Sequence, residues 1–342
     1  AIGHKAMTTN VSGGCNTAFG YRSLITNTAD NNVAVGFKAL EANTTGHSNV
    51  SVGKDTLFSN TTAVANTAVG KDAMYNTTTG ACNAAFGFNS LNANTTGTRN
   101  VAIGHASLDA NTTGAENVAV GQNALTSNTT AASNTAVGRG SMHDNTTGAA
   151  NVSMGFDSGF NNTTGGCNVN IGMEAGHKTT TADGNTFVGR QAGCNAVSGN
   201  NNVAIGQSAG IDAVKNITGS ETHQLVLGSN SLANAFMKVS FTVTSDLRDK
   251  TEIEEVPHGL DFVNKLNPIK YRFMVSRDDP VGTGNKKYGF SAQELLELEG
   301  ENNVIIDNHD PENLKLTELH LVPVLVNAIK ELTKRIKDLE DK

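Results

Sequence analysis

The sequence predicts an all-β repeat solenoid, a parallel β-roll of 17-residue coils, followed by a small α+β domain that ends in a coiled-coil helix. Three observations predict it. First, an Asn followed four positions later by a Gly recurs every 17 residues from Asn32-Val33-Ala34-Val35-Gly36 to Asn202-Val203-Ala204-Ile205-Gly206, passing through Asn49, Asn66, Asn83, Asn100, Asn117, Asn134, Asn151, Asn168 and Asn185. A period this strict is the signature of stacked repeats. Second, all 5 prolines (Pro257, Pro268, Pro280, Pro311, Pro323) fall after residue 244, so the repeats keep every backbone donor. Third, of the 25 Lys+Arg and 32 Asp+Glu, 14 and 20 lie in residues 245–342, which marks that stretch as a separate, charge-rich unit.

Taken in order, Ile2-Gly3 is the tail of one repeat and Asn16 to Gly20 is a unit one residue out of phase. Each later unit carries two short apolar pieces, such as Val101-Ala102-Ile103 and Ala106-Ser107-Leu108, split by Gly104-His105 and closed by Asn111-Thr112-Thr113-Gly114. Pieces of three residues are too short for helices. Val, Ile and Thr suit strands, and Gly and Asn accept the positive φ of tight corners. At a strand spacing of about 4.8 Å, roughly thirteen coils make a rod on the order of 60 Å long. The recurrent Asn is expected to stack as an amide ladder bonding the coils above and below.

Small residues at Ala34, Ser51, Ala68, Ala85, Ala102, Ala119 and Ala136 would let backbones of neighbouring chains approach closely. Later in the rod the Leu or Met of Leu40, Leu57, Met74, Leu91, Leu108, Leu125 and Met142 gives way to Gly159, Gly176, Gly193 and Gly210, so the rod is expected either to narrow or to pack differently there. Only Ile211 to Gln224 breaks the period. That turn reads either as a binding loop or as the end of the rod.

A formal charge of -7 argues against a nucleic-acid footprint and against an anionic membrane surface. No apolar run approaches the roughly 20 residues a spanning helix needs, so no membrane insertion is expected. The chain opens inside a repeat, without a signal-like amino terminus, as a fragment of something longer would. Asn43, Asn94, Asn111 and Asn145 head formal Asn-Thr-Thr glycosylation acceptors, but their fixed phase points to turn chemistry. Cys15, Cys82, Cys167 and Cys194 lie coils apart and read as free, packed thiols. His47, His105, His143 and His177 form no ligand cluster, so neither a metal site nor a cofactor is expected. Paired carboxylates beside a cleft, which cutting a polysaccharide requires, are absent from the repeats.

The units Asn100-Val101-Ala102-Ile103-Gly104 and Asn202-Val203-Ala204-Ile205-Gly206 resemble the stacked repeats in the head of trimeric autotransporter adhesins. The likeness covers roughly residues 1–210 and implies a β-roll built by three chains. The longer Asn-Thr-Thr-Gly corners depart from that pattern.

These signals divide the chain into a rod over 1–228, a connecting strand over 229–244 and a carboxy-terminal domain over 245–342. Met237 to Thr244 alternates as a strand should and leads into Ser245-Asp246-Leu247-Arg248-Asp249-Lys250. A Ser hydroxyl needs a base to attack a carbonyl, and a Lys whose pKa is lowered by burial or by positive neighbours can serve. Arg248 is such a neighbour for Lys250. The bland alternative makes Ser245 a helix N-cap and Gln293 and Glu294 ordinary helix residues.

The order Ser245 to Ile253, Leu266-Asn267-Pro268-Ile269-Lys270-Tyr271-Arg272-Phe273, then Tyr288-Gly289-Phe290-Ser291-Ala292-Gln293-Glu294-Leu295 resembles the intramolecular chaperone autoprocessing domain (peptidase S74) of phage tailspikes and tail fibres. The resemblance implies a trimeric folding aid that cuts itself off once the fibre has assembled. It makes Ser245 the nucleophile, Lys250 the base, Thr244-Ser245 the scissile bond, and Asp246 and Arg248 supporting residues. Some relatives do not cleave, so chaperoning is the firmer implication.

The tail points to assembly independently. Pro323 can open a helix, and Val322, Leu325, Ile329, Leu332, Ile336 and Leu339 occupy the a and d positions of a heptad over about 322–341. Glu331 with Arg335 and Lys334 with Asp338 are expected as i,i+4 pairs. Ile at a with Leu at d leans toward two strands; a helix this short is expected to follow the rest of its domain into three.

The expected whole is a homotrimeric virion tail fibre or tailspike rod, assembled in the host cytoplasm. Other tail proteins are its expected partners, with a host cell-surface receptor or glycan as a further one. Two rival readings remain, a bacterial surface adhesin head with a trimerisation domain and a polysaccharide-degrading tailspike.

Overall fold

The computed structural model describes residues 1–211, 215–229, 232, 245–274, 277, 280–300 and 303–342. It separates into two compact units, Ala1–Ser229 and Asn230–Lys342. Apart from Ser229 and Leu232, the expected connecting strand over 229–244, Thr244 included, lies outside the described residues.

The first unit is a β-solenoid whose three-residue strands stack into one 13-stranded parallel sheet in sequence order. The strands run from β1 (Thr17–Phe19), β2 (Val33–Val35) and β3 (Val50–Val52) to β12 (Val203–Ile205) and β13 (Leu225–Leu227). Register is one whole repeat per step: Val33 faces Val50, Ala34 faces Ser51 and Val35 faces Val52. The short first step pairs Thr17 with Val33 and the long last step pairs Val203 with Leu225. Gly36 follows β2 with φ 142°, a conformation side chains avoid, and a Cβ there would run into the Gly53 carbonyl of the next coil.

Within each strand the middle residue points inward and its neighbours point out. Ala34, Ser51, Ala68, Ala85, Ala102, Ala119 and Ala136 are completely buried inside the coil. This corrects the expectation that these small residues bring chains together. They fill the coil's own interior against the Leu and Met row, while Val33, Val35 and their equivalents form the outward face.

Two buried amide ladders hold the stack. In the first, the Asn Oδ1 accepts the backbone N–H of the Asn one coil on, as Asn49 N–H to Asn32 Oδ1 at 3.0 Å, until Asn202 Oδ1 takes the Gln224 N–H at the end, while the Nδ2 donates to a corner carbonyl such as Ala63 O at 2.9 Å from Asn49. In the second, Asn43, Asn60, Asn111, Asn128, Asn145 and Asn162 each donate from Nδ2 to the preceding Asn Oδ1. Those are residues of the Asn-Thr-Thr corners. The acceptor asparagines Asn43, Asn94, Asn111 and Asn145 are fully buried, so turn chemistry accounts for the motif.

The Leu-to-Gly change has a volume explanation. From β9 (Val152–Met154) onward the inward strand residue becomes Ser153, then Asn170, then Phe187, and a side chain at Gly159, Gly176 or Gly193 would collide with these in turn. Two hydrophobic clusters result, Ala18 to Met142 and Ala175 to Val226. Ser141, Ser153, Ser158 and Asn170 make a buried polar layer between them, with Ser141 Oγ 3.1 Å from Ser158 Oγ. At the irregular turn, buried Ile217 packs towards Gly210, and Gly219 O accepts from the N–H groups of Ser198 and Gly199. The described part of that turn closes the rod's core.

Cys15, Cys82 and Cys167 are free but exposed, not packed; Cys194 is half-buried, and burial pushes its thiol up. His143 and His177 share one row and stack on either side of Phe160, at 4.8 and 5.4 Å between ring centroids. The described residues contain no group of His, Cys, Asp and Glu able to hold a metal ion. Among the described residues no helix is long and apolar enough to cross a membrane.

In the second unit α1 (Leu260–Val263) is followed by the antiparallel pair β14 (Ile269–Met274) and β15 (Gly282–Gly289). Then come α2 (Ala292–Glu299), the short pair β16 (Ile306–Asp307) and β17 (Lys315–Leu316), and α3 (Leu321–Glu340). Ser291 caps α2 by accepting from Glu294 N–H. Phe262, Leu295, Ile305, Ile306, Leu321 and Val324 form the core. The Glu299 carboxylate is buried there and accepts from the N–H groups of Val304, Ile305 and Ile306, which fixes the turn into β16.

Helix α3 has two apolar faces. Leu321, Val324 and Ala328 pack into the unit, whereas Val322, Leu325, Ile329, Leu332, Ile336 and Leu339 are all exposed along the heptad seam. The expected i,i+4 ion pairs do not form. Glu331 accepts from Leu260 N–H at 3.0 Å, Arg335 lies 3.7 Å from Asp261, and Lys334 makes no ion pair with Asp338.

Candidate functional site

The segment from Ser245 to Lys250 folds back on itself through local hydrogen bonds. Asp246 has extended backbone (φ -67°, ψ 135°) and accepts from Arg248 N–H, which starts a single 3₁₀ turn over Leu247–Asp249. Asp therefore occupies the N-cap, where short acceptor side chains are favoured. Ser245 does not, so the capping alternative for this serine is set aside. The turn closes with Lys250 N–H donating to Leu247 O at 3.2 Å.

That closure returns the lysine side chain to the start of the segment. Lys250 Nζ donates to Ser245 Oγ at 2.9 Å. Both residues are exposed, as are Asp246 and Arg248. The structure thus brings together Ser245, Asp246, Arg248 and Lys250, while Thr244 lies outside the described residues.

Arg248 is engaged differently from the expectation. Its guanidinium forks onto Asp246, Nε at 3.1 Å from Oδ1 and Nη2 at 2.6 Å from Oδ2. The Arg248 fork holds the Asp246 carboxyl below its usual range, and the carboxylate in turn raises the guanidinium. The Arg248 guanidinium is thus paired with Asp246. The fork and the Arg248 N–H contact both close on the same turn.

Among the described residues, the hydrogen bonds that tie 245–258 to the rest of the unit come from one side chain. Asn327 Nδ2 donates to Val256 O at 3.2 Å and to His258 O at 3.5 Å. One turn further along α3, Glu331 takes the Leu260 N–H. The sequence singles out no role for Asn327 and offers Arg335 as the partner of Glu331, since each observed contact spans about seventy positions and leaves no local pattern.

Residues 245–305 match the Peptidase S74 family, chaperone of endosialidase. The matched chaperone domain opens on Ser245 and takes in α1, β14, β15 and α2, so Gln293 and Glu294 stand in the first turn of a helix of that domain. Helix α3 lies beyond the match. No curated protein and no solved structure matches the chain.

Proposed function

We propose that this chain is the rod of a phage tail fibre or tailspike whose carboxy-terminal chaperone directs trimer assembly and then cuts itself off between Thr244 and Ser245. The observation that carries the reading is the 2.9 Å contact from Lys250 Nζ to Ser245 Oγ at the first residue of the chaperone match. Ser245 Oγ attacks the Thr244 carbonyl carbon through a five-membered ring, and Lys250, in its neutral form, takes the hydroxyl proton. The proton passes to the Ser245 nitrogen as the C–N bond breaks, which leaves an ester between Thr244 and Ser245 Oγ. Water then cleaves the ester, yielding a Thr244 carboxylate and a Ser245 amine with its hydroxyl restored.

Two unpartnered apolar surfaces support association of like chains. The outward face of the sheet carries Phe19, Phe86, Ile103, Met154, Ile171 and Ile205, all exposed, and the α3 seam is exposed over its length. Exposed apolar residues that continue from coil to coil, as Phe86 and Ile103 do, form the contiguous kind of surface found at interfaces. A symmetric homotrimer covers both with copies of themselves. Stacked coils that look alike specify register weakly, so holding three chain ends together removes the slipped alternatives and raises their effective concentration. Cleavage afterwards traps the product kinetically. Host-surface binding and attachment to other tail proteins belong to the same proposal.

The test is the subunit mass, measured under denaturing conditions, of the chain beside Ser245→Ala. Loss of residues 245–342 from the unsubstituted chain alone supports cleavage at Thr244-Ser245. Two full-length subunits that assemble as trimers would make the domain a permanent clamp.

A further inference from the structure

The segment that carries Ser245 and Lys250 has few attachments. Its own hydrogen bonds are internal, and residues 251–255 are exposed. What fixes its far end is the back of α3, where Asn327 holds the Val256 and His258 carbonyls and Glu331 holds the Leu260 N–H. Gly259 lies directly beneath the Glu331 carboxylate, so a Cβ there would push that carboxylate aside. His258 stacks on Phe262 at 4.3 Å, which continues the seat into α1.

Helix α3 is firmly packed only over its first two turns. Its last residue buried in the unit is Ala328, and every residue from Ile329 to Glu340 is exposed. A helical stretch without tertiary packing frays, because short helices are marginal on their own in water. Glu331 stands just past that boundary, so its grip on Leu260 is only as firm as the unpacked half of the helix. Covering the seam at Ile329, Leu332, Ile336 and Leu339 would pack that half. Asn327 and Glu331 lie off the seam, at f and c when Val322 is a, so packing the seam leaves them free to hold 256–260.

We infer that Asn327 and Glu331 are positioning residues that transmit the association of α3 to the Ser245–Lys250 pair, so that cleavage waits for assembly. The inference rests on the cleavage reading above. Association orders α3 beyond Ala328, the ordered Glu331 and Asn327 fix 256–260, and the fixed segment holds the serine and lysine in attacking geometry. Misplacing reacting groups by about 1 Å costs on the order of 100-fold in rate.

The experiment compares full-length Asn327→Ala, Glu331→Ala, Glu331→Gln and Gly259→Ala with the unsubstituted chain. Asn327 is half-buried and Glu331 exposed, so neither truncation opens the core. Expected are trimers in every variant, with an unchanged melting temperature, and cleavage slowed at least about 10-fold in Asn327→Ala, Glu331→Ala and Gly259→Ala. Glu331→Gln, which keeps an acceptor oxygen for Leu260 N–H, should cleave at the original rate. The pH dependence of cleavage should keep its shape while its maximum falls, because the clamp acts on geometry and not on proton affinity. Original rates in Asn327→Ala and Glu331→Ala would overturn the inference, as would a slowing that only accompanies loss of the trimer. Amide exchange across 251–260 in a Ser245→Ala background separates the two readings. If the unsubstituted chain never cleaves, the Ser–Lys reading fails, and the clamp stands only if Asn327→Ala accelerates that exchange.

Discussion

The Phe187 ring fills the space a side chain at Gly193 would need. A Cβ on Gly193 would lie 2.5 Å from the ring carbons, and Gly193 itself has φ 58°. In the earlier coils the same two positions hold a small strand residue and a Leu or Met, as Ala119 with Leu125 and Ala136 with Met142, all four fully buried. At Phe187 and Gly193 the coil keeps its interior filled while exchanging which of the two positions supplies the bulk.

Phe187→Ala should therefore destabilise the rod by about 3–5 kcal/mol, as large-to-small core changes do. Gly193→Leu alone should overpack and cost about 1–3 kcal/mol. The double substitution recreates the earlier coil and should cost less than the sum of the two. A double-mutant cycle by denaturant unfolding reads this coupling, and strict additivity would refute the volume exchange.

The second amide ladder has a gap. Asn60 Oδ1 is buried with no hydrogen-bond partner among the described residues, and the position one coil on, where other coils supply an amide, holds Thr77. Asn162 faces Thr179 in the same way, and its Oδ1 is also unpartnered. An unsatisfied buried acceptor costs about 1–3 kcal/mol. Thr77→Asn should recover part of this and raise the unfolding midpoint; a lower midpoint would mean that the coil cannot admit the amide.

Much of this architecture is legible in the chain, and the illegible part has physical causes. The Asn-to-Gly period sets coil length because each coil must return the same groups to the same ladder, and the Ser245–Lys250 spacing reads as one turn because it is local. Inside and outside could not be told apart in Val33-Ala34-Val35: a three-residue strand places either one or two side chains inward, and both choices leave an apolar face. The second ladder was hidden because Asn43 and its equivalents look like ordinary corner residues. Arg248 was misjudged since spacing shows its distance from Lys250 but not the prior claim of Asp246. Asn327 and Glu331 contact backbone atoms 69 to 71 positions away, which no sequence pattern records.

The two faces of α3 predict two different failures. Ile329 is exposed on the seam, so Ile329→Asp should leave the fold of the domain intact while shifting the full-length chain from trimer toward monomer. Val324 is buried in the core of the unit, so Val324→Asp should unfold the domain itself. Sedimentation for assembly and circular dichroism for folding distinguish the outcomes. An unchanged trimer in Ile329→Asp would show that the seam is not the interface.

The Asp246 turn predicts a graded response. Asp246→Ala removes both the cap on Arg248 N–H and the fork to the guanidinium, so it should slow cleavage about 10- to 100-fold by loosening the return of Lys250 to Ser245. Asp246→Asn keeps an acceptor for the cap and loses the ion pair, so its rate should fall between. The acid limit follows from the same contacts. Arg248 holds the Asp246 carboxyl below its ordinary value of 3.8, so the stabilisation is fully present above 3.8 and is lost as the pH falls through the lower folded value. The Arg248 amide signal of the Ser245→Ala chain, followed by NMR during acidification, should therefore hold its position through 3.8 and change only below it. A change centred at or above 3.8 would mean that the fork does not persist in solution, and the order of the two Asp246 variants would then lose its basis.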